Sequence, residues 1–186
     1  MKLAENKFTQ ALKKSEKQIG LWLSLRNNFA AEAVATSGYD WLLIDMEHTP
    51  NDLSTVLTQL QTVASGGSTA IVRPPWNDTV DIKRLLDSGA PGLLIPMVQS
   101  VEEAEQAVAA TRYPPRGVRG VTGTSRANAF GRFGTSQLAA VPDTDQYQVT
   151  RNEGGWYHED EIHQEPMLRL VEHDAEPEQE QFFGGA

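Results

Sequence analysis

Trp41-Leu42-Leu43-Ile44-Asp45-Met46-Glu47-His48 is the stretch that decides how this chain is read. Four apolar or aromatic residues in a row suit a strand buried on both faces, as in a parallel sheet. Asp45, Glu47 and His48 follow at once, so side chains able to move protons or bind metal crowd the carboxyl end of a buried strand. Barrel enzymes place their active sites at that end. His48 is also the only histidine in the first 157 residues, which concentrates proton chemistry near neutral pH at one point. The same residues read equally well as a polar strand end leading into a turn at Thr49-Pro50.

Outward from this strand, strand and helix signals alternate. Residues 2–16 carry Leu3, Phe8 and Leu12 at amphipathic spacing, and residues 19–25 read as a first strand. An alanine-rich helix over 29–37 ends at Gly38. After the central strand, Asn51 is suited to cap a helix reaching Ala64, with Leu53, Val56, Leu57 and Leu60 on one face. Gly66-Gly67 stops it, and 69–73 is the third strand. A helix over 79–86, a strand over 92–96 and a helix over 101–110 complete the series. Repeated strand–helix units with short connections imply a parallel sheet with right-handed crossovers. An open doubly wound sheet and a (β/α) barrel both satisfy the pattern. No Gly-x-Gly-x-x-Gly follows the first strand and no Walker lysine loop appears, so a nucleotide site is not supported.

The 186 residues suffice for one ordinary domain, and 39% hydrophobic with 22% charged residues fits a globular protein. No run approaches the roughly 18 apolar residues of a membrane span. The polar start Met1-Lys2-Leu3-Ala4-Glu5-Asn6-Lys7 does not read as a secretory signal, and a cytoplasmic location is expected. The absence of cysteine excludes disulfides, thiolate metal sites and cysteine nucleophiles. The net charge of −9 is unevenly placed: residues 134–186 hold twelve acidic and two basic residues, while residues 1–133 are nearly balanced. With no basic stripe, nucleic acid is not an expected partner.

Beyond Phe133 the alternation stops. Gly154-Gly155 and the charge clusters Glu159-Asp160-Glu161 and Glu176–Glu180 replace it, and residues 134–186 are expected to be an acidic, irregular tail without a clear strand. Met167–Val171 is the one short segment there with helix or strand character. His158, Glu159, Glu161 and His163 superficially suggest a metal cluster, but the five-residue separation of the histidines is poor for one helix face.

Polar groups recur at successive strand ends: Asp45, Glu47 and His48, then Arg73 before Pro74-Pro75-Trp76-Asn77-Asp78, then Gln99. In a barrel these meet at one mouth. An arginine fork suits a carboxylate, a histidine suits proton transfer, and carboxylates suit a hard cation or its water. Together they fit an acidic substrate whose carbon acid loses a proton. Arg73 can also simply pair with Asp45 across neighbouring strands. Asp87 falls near a helix end where the dipole disfavours a negative charge, so it is either solvated or held by a partner such as His48. Arg112, Arg116 and Arg119 surround Tyr113-Pro114-Pro115 and read as solvated surface charge, or as contacts to an anion or a neighbouring subunit.

Several motifs in order resemble the HpcH/HpaI aldolase family: Gly20-Leu21-Trp22-Leu23, Asp40 through His48, Val72-Arg73-Pro74-Pro75-Trp76-Asn77, Leu94-Ile95-Pro96-Met97-Val98 and Arg112 through Gly120. The likeness runs from about residue 8 to 133. It implies a (β/α)₈ TIM barrel and a metal-dependent class II pyruvate aldolase, which cleaves a 4-hydroxy-2-oxo acid to pyruvate and an aldehyde such as succinic semialdehyde. By the resemblance, His48 is the acid–base group with Asp87 as its dyad partner. Arg73 and Trp22 bind substrate, and Asp45 and Glu47 lie near a divalent Mg, Mn or Co ion. A homo-oligomer, a hexamer in the family, is also implied. The dioate-aldolase-like motifs argue against a lyase of CoA thioesters.

The family pattern places its metal-ligating carboxylates on later strands, in Gln-Ile-Glu-Thr-like and Gly-Pro-x-Asp-Leu-Ser-like segments, and neither is found here. Only about the first four strand–helix units, in residues 1–133, are expected to follow the barrel. Four such strands leave open edges and an inner face without its opposing side chains. An inactive half-barrel or interaction fragment is therefore the alternative reading.

Overall fold

Strand β2 (Trp41–Asp45) runs between β1 (Gly20–Leu23) and β3 (Thr69–Arg73), parallel to both. The computed structural model describes residues 6–133 and the strand segments 148–151 and 156–157. Leu42, Leu43 and Ile44 are fully buried, as a strand covered on both faces requires. The register sets Gly20, Trp41 and Thr69 side by side, and Asp45 beside Arg73. Strand β4 (Leu94–Val98) joins the far side of β3 through a Val72–Leu93 bridge, with the Val72 N–H donating to the Gly92 carbonyl at 3.0 Å.

Helices α2 (Asn28–Ala35), α3 (Leu53–Val63), α4 (Thr79–Asp87) and α5 (Val101–Thr111) carry the chain back after each strand. Each begins at a side chain that accepts a backbone N–H: Asn27, Asp52, Asp78 and Ser100. The expected cap Asn51 is one residue off, since Asp52 forms a reciprocal capping box with Thr55. Leu42, Ile44, Val72 and Ile95 face these helices and pack with Val56, Leu60 and Val63, with Ile82, Leu85 and Leu86, and with Ala104, Ala107 and Ala110.

Alternation along the strands sends Leu43, Ile71 and Leu94 to the opposite face, where Phe8 and Leu12 of α1 (Lys7–Lys13) cover them. Phe8 meets Trp41 edge-on at 5.8 Å, and the Asn6 amide donates to the Pro91 carbonyl at 2.8 Å. Helix α1 thus closes the amino-terminal end of this inner face. It is shorter than the expected 2–16: Asn6 caps it and Ser15 turns into the left-handed region, while residues 1–5 lie outside the described part. The first strand is likewise trimmed at both ends, to residues 20–23, and the fourth shifts two residues forward, to 94–98.

The expectation of an irregular stretch without a clear strand beyond Phe133 is corrected by β5 (Gln148–Arg151), which pairs parallel with β4, and by β6 (Trp156–Tyr157), antiparallel to β5. Gln-Val-Thr-Arg offers one strongly apolar residue in four, so a hydrophobic-run reading passes over it. Strand pairing needs only backbone donors and acceptors. The His158–His163 cluster and Met167–Val171 lie outside the described residues. Among the described residues no helix is long and apolar enough to cross a membrane.

Candidate active site

Alternation places Trp22, Asp45 and Arg73 on the inner face, toward its carboxyl-terminal end. Asp45 is only 2% exposed. Its carboxylate takes the Arg73 fork in both oxygens: Nε donates to Oδ1 at 2.8 Å and Nη2 to Oδ2 at 2.9 Å. Arg73 Nη1 reaches Glu47 Oε2 at 2.8 Å, and the guanidinium lies 4.4 Å over the Trp22 ring. The pairing of Arg73 with Asp45 raised from the sequence is therefore present. Donors remain on Nη1 and Nη2 beyond those spent on the two carboxylates.

Burial pushes the Asp45 carboxyl up, but the Arg73 hydrogen bonds and charge, with the backbone N–H groups of Glu47 and His48, outweigh it and hold the group below the usual carboxylate range. The Glu47 N–H donates to Asp45 Oδ1 at 2.9 Å, and the Met46 N–H to the Arg73 carbonyl at 2.9 Å. The loop after β2 is thereby tied to β3. Glu47 Oε1 stands 3.6 Å from His48 Nε2, and the His48 side chain is 72% exposed at the mouth. A largely buried arginine stacked on a half-exposed tryptophan, beside an exposed imidazole, can receive an anionic carbon acid and exchange a proton with it.

Asp87 stands elsewhere. Helix α4 leaves the carboxyl end of β3 and ends near the amino end of β4, so its last residue lies on the opposite rim from His48. Its partner within the chain is Arg119, whose Nη2 donates to Oδ1 at 2.7 Å, so of the two alternatives raised for Asp87, solvated or held by a partner such as His48, the chain itself supplies a partner, and it is Arg119. Arg119 is 4% exposed and lies 4.6 Å over the Tyr113 ring, so the reading of this loop arginine as solvated surface charge is also corrected. A buried cation beside the last turn of α4 offsets the helix dipole that disfavours Asp87 there. Burial pushes the Tyr113 phenol up, with Arg119 opposing and Asp87 adding to the rise. The surrounding loop is organised by Asn128, fully buried, which accepts from the Ser125 and Gly131 N–H groups and donates to the Thr122 and Gly123 carbonyls.

The described residues do not make the divalent-metal site. Among them no three His, Asp or Glu side chains converge on a point able to hold an ion. Both oxygens of Asp45 are committed to Arg73, as is one of Glu47.

Sequence reasoning missed Gln59. It is fully buried on α3, and its Nε2 donates to Asn51 Oδ1 at 2.9 Å. The signal was available: Gln59 falls three residues after Val56 and four before Val63, a core position filled by a polar residue.

The family model for HpcH/HpaI aldolase/citrate lyase matches residues 18–174, beyond the end of the motifs near residue 133. A 4-hydroxy-2-oxo-heptane-1,7-dioate aldolase of Salmonella dublin is 59% identical over 130 residues, covering 69% of this chain and 49% of the relative. The chain thus spans about half the length of the curated relatives it matches. Among solved structures, an HpcH/HpaI aldolase/citrate lyase family protein from Burkholderia cenocepacia J2315 is 41% identical with a TM-score of 0.71, covering 77% of this chain and 58% of the other. A citrate synthase is 26% identical with a TM-score of 0.63, over 76% of this chain and 53% of the other.

Proposed function

The chain belongs to the HpcH/HpaI aldolase/citrate lyase family, and from that premise we propose that it carries half of the active site of a pyruvate aldolase acting on 4-hydroxy-2-oxo acids of the heptanedioate type. The observation that carries this reading is the convergence of Trp22, Arg73, Glu47 and His48 on one end of the inner face. Arg73 offers its remaining N–H donors to the substrate carboxylate or the 2-oxo oxygen, with Trp22 beneath it and Asp45 fixing its plane. His48 removes the proton of the 4-hydroxyl. The C3–C4 bond then breaks, releasing succinic semialdehyde, and its electron pair becomes the pyruvate enolate, whose negative oxygen faces Arg73. Protonation at C3 yields pyruvate.

Within one chain His48 and Asp87 occupy opposite rims. The dyad therefore requires Asp87 from a second copy, and a homo-oligomer, hexameric as in the family resemblance, follows from the same reading. Mg, Mn or Co is the implied cofactor and would act as a Lewis acid on the 2-oxo group when bound. Its ligands must come from outside the described residues. The partner is a small 2-oxo acid, and a cytoplasmic location goes with that reading.

The test is pyruvate release from 4-hydroxy-2-oxoheptanedioate coupled to lactate dehydrogenase, with and without Mn²⁺. Turnover that His48→Ala abolishes supports the reading. A folded protein inert under both conditions overturns it.

A further inference from the structure

We infer that Gln59 and Asn51 form a buried amide relay whose role is to position the loop bearing Glu47 and His48. The inference rests on the reading of that loop as the acid–base element of the site. Helix α3 faces the sheet with Val56, Leu60 and Val63, and Gln59 occupies the same apolar stripe with no exposed surface. Its Oε1 finds no partner among the described residues, so the side chain is kept in the core at a cost in desolvation. A leucine or methionine would fill the position without it.

The Nε2 end explains the residue. It donates to Asn51 Oδ1 at 2.9 Å, which orients the Asn51 amide so that its Nδ2 donates to the Asp45 carbonyl at 2.8 Å and to Thr49 Oγ1 at 3.1 Å. Thr49 Oγ1 donates to the same Asp45 carbonyl and accepts from the Asn51 N–H at 3.4 Å. The relay thus closes the loop from Asp45 to Asn51 upon itself and anchors it to the middle of α3. Glu47 and His48 sit inside that closed loop. On its other side, Met46 and Glu47 donate to β3 and to the Asp45 carboxylate. Two anchors fix the loop: one is the ionic site, the other this neutral amide pair. A buried polar group that a core position does not call for is expected where function demands it.

Amide hydrogen exchange followed by NMR separates positioning from plain stability. Gln59→Met keeps the volume and removes the amide. Asn51→Ala breaks the relay from the loop end and keeps every apolar side chain of the core, although it leaves the Gln59 amide without its Asn51 acceptor, so one variant remains should the other fail to fold. Val56→Ala opens a cavity on the same stripe and leaves the relay intact. In both relay variants, exchange at Met46 and Glu47 is expected to rise about tenfold relative to Val72 in the sheet, whereas Val56→Ala should move all three together. Where turnover is measurable, kcat should fall in the relay variants while KM holds. Exchange at Met46 and Glu47 keeping step with Val72 in the relay variants would overturn the inference. Selective loosening in a protein that never turns over substrate would count against the aldolase reading and leave the relay standing.

Discussion

At the scale of single residues, the site is governed by one carboxylate. Asp45 enters the folded state ionised because Arg73 meets both its oxygens and two loop N–H groups point at it. Removing its charge leaves a largely buried guanidinium with Glu47 alone. Asp45→Asn is accordingly expected to lower stability by ~3 kcal/mol in urea unfolding at pH 7. The sign with pH follows from the lowered value. Relative to the ordinary 3.8, the contribution is fully present at higher pH and is lost as pH falls through the depressed folded-state value. The parent should therefore lose urea resistance on acidification below about pH 4 more steeply than Asp45→Asn does. Equal acid limbs in the two proteins would show that Asp45 does not carry this linkage.

At the scale of elements, close packing along the inner face sets the demands. Gly20 sits directly beside Trp41 in the register, and a Cβ there would run into the indole ring. Gly20→Ala should cost ~2 kcal/mol in urea unfolding, through displacement of Trp41 from Phe8 and loosening of α1. A neutral outcome would mean that the indole has room to move. Helix α4 depends on a different device: Asp78 accepts from the N–H groups of Val80 and Asp81. Asp78→Ala should cost ~1 kcal/mol, read as a lower urea midpoint with unchanged slope. The loop between β2 and α3 combines both kinds of constraint. It is short, tied to β3 on one side and to Gln59 on the other, and it carries the only described histidine.

At the scale of the whole molecule, the proposed dyad sets a testable requirement, because His48 and Asp87 lie on opposite rims of one chain. If each site takes its imidazole from one copy and its carboxylate from another, two individually inactive variants can complement each other. Mixing His48→Ala with Asp87→Asn chains under exchanging conditions should restore part of the parent activity, since some mixed assemblies hold one intact pair. Continued inactivity after proven exchange would place the dyad partner of His48 elsewhere. Asp87→Asn also leaves Arg119 buried beside a neutral group, so its stability must be measured alongside.

The sequence by itself determined the parallel α/β class and the strand β2 with its polar end, because apolar runs and residues suited to helix caps are local signals. It also offered Trp22, Arg73 and His48 as candidates, because each belongs to a motif contiguous in the chain. It misjudged what depends on distant neighbours. Arg119 reads as surface charge until the loop after α5 folds it against Asp87 and Tyr113, and Gln59, whose spacing marks a core position, acquires a reason to be polar only when Asn51 arrives from the loop. The strand β5 has too little apolar character to announce itself and exists through backbone pairing with β4. Only the tertiary structure decided which charges were buried and which partners they found. Burial and pairing are properties of surfaces brought together across the chain, and the energy of a charge depends on those surroundings more than on its neighbours in sequence.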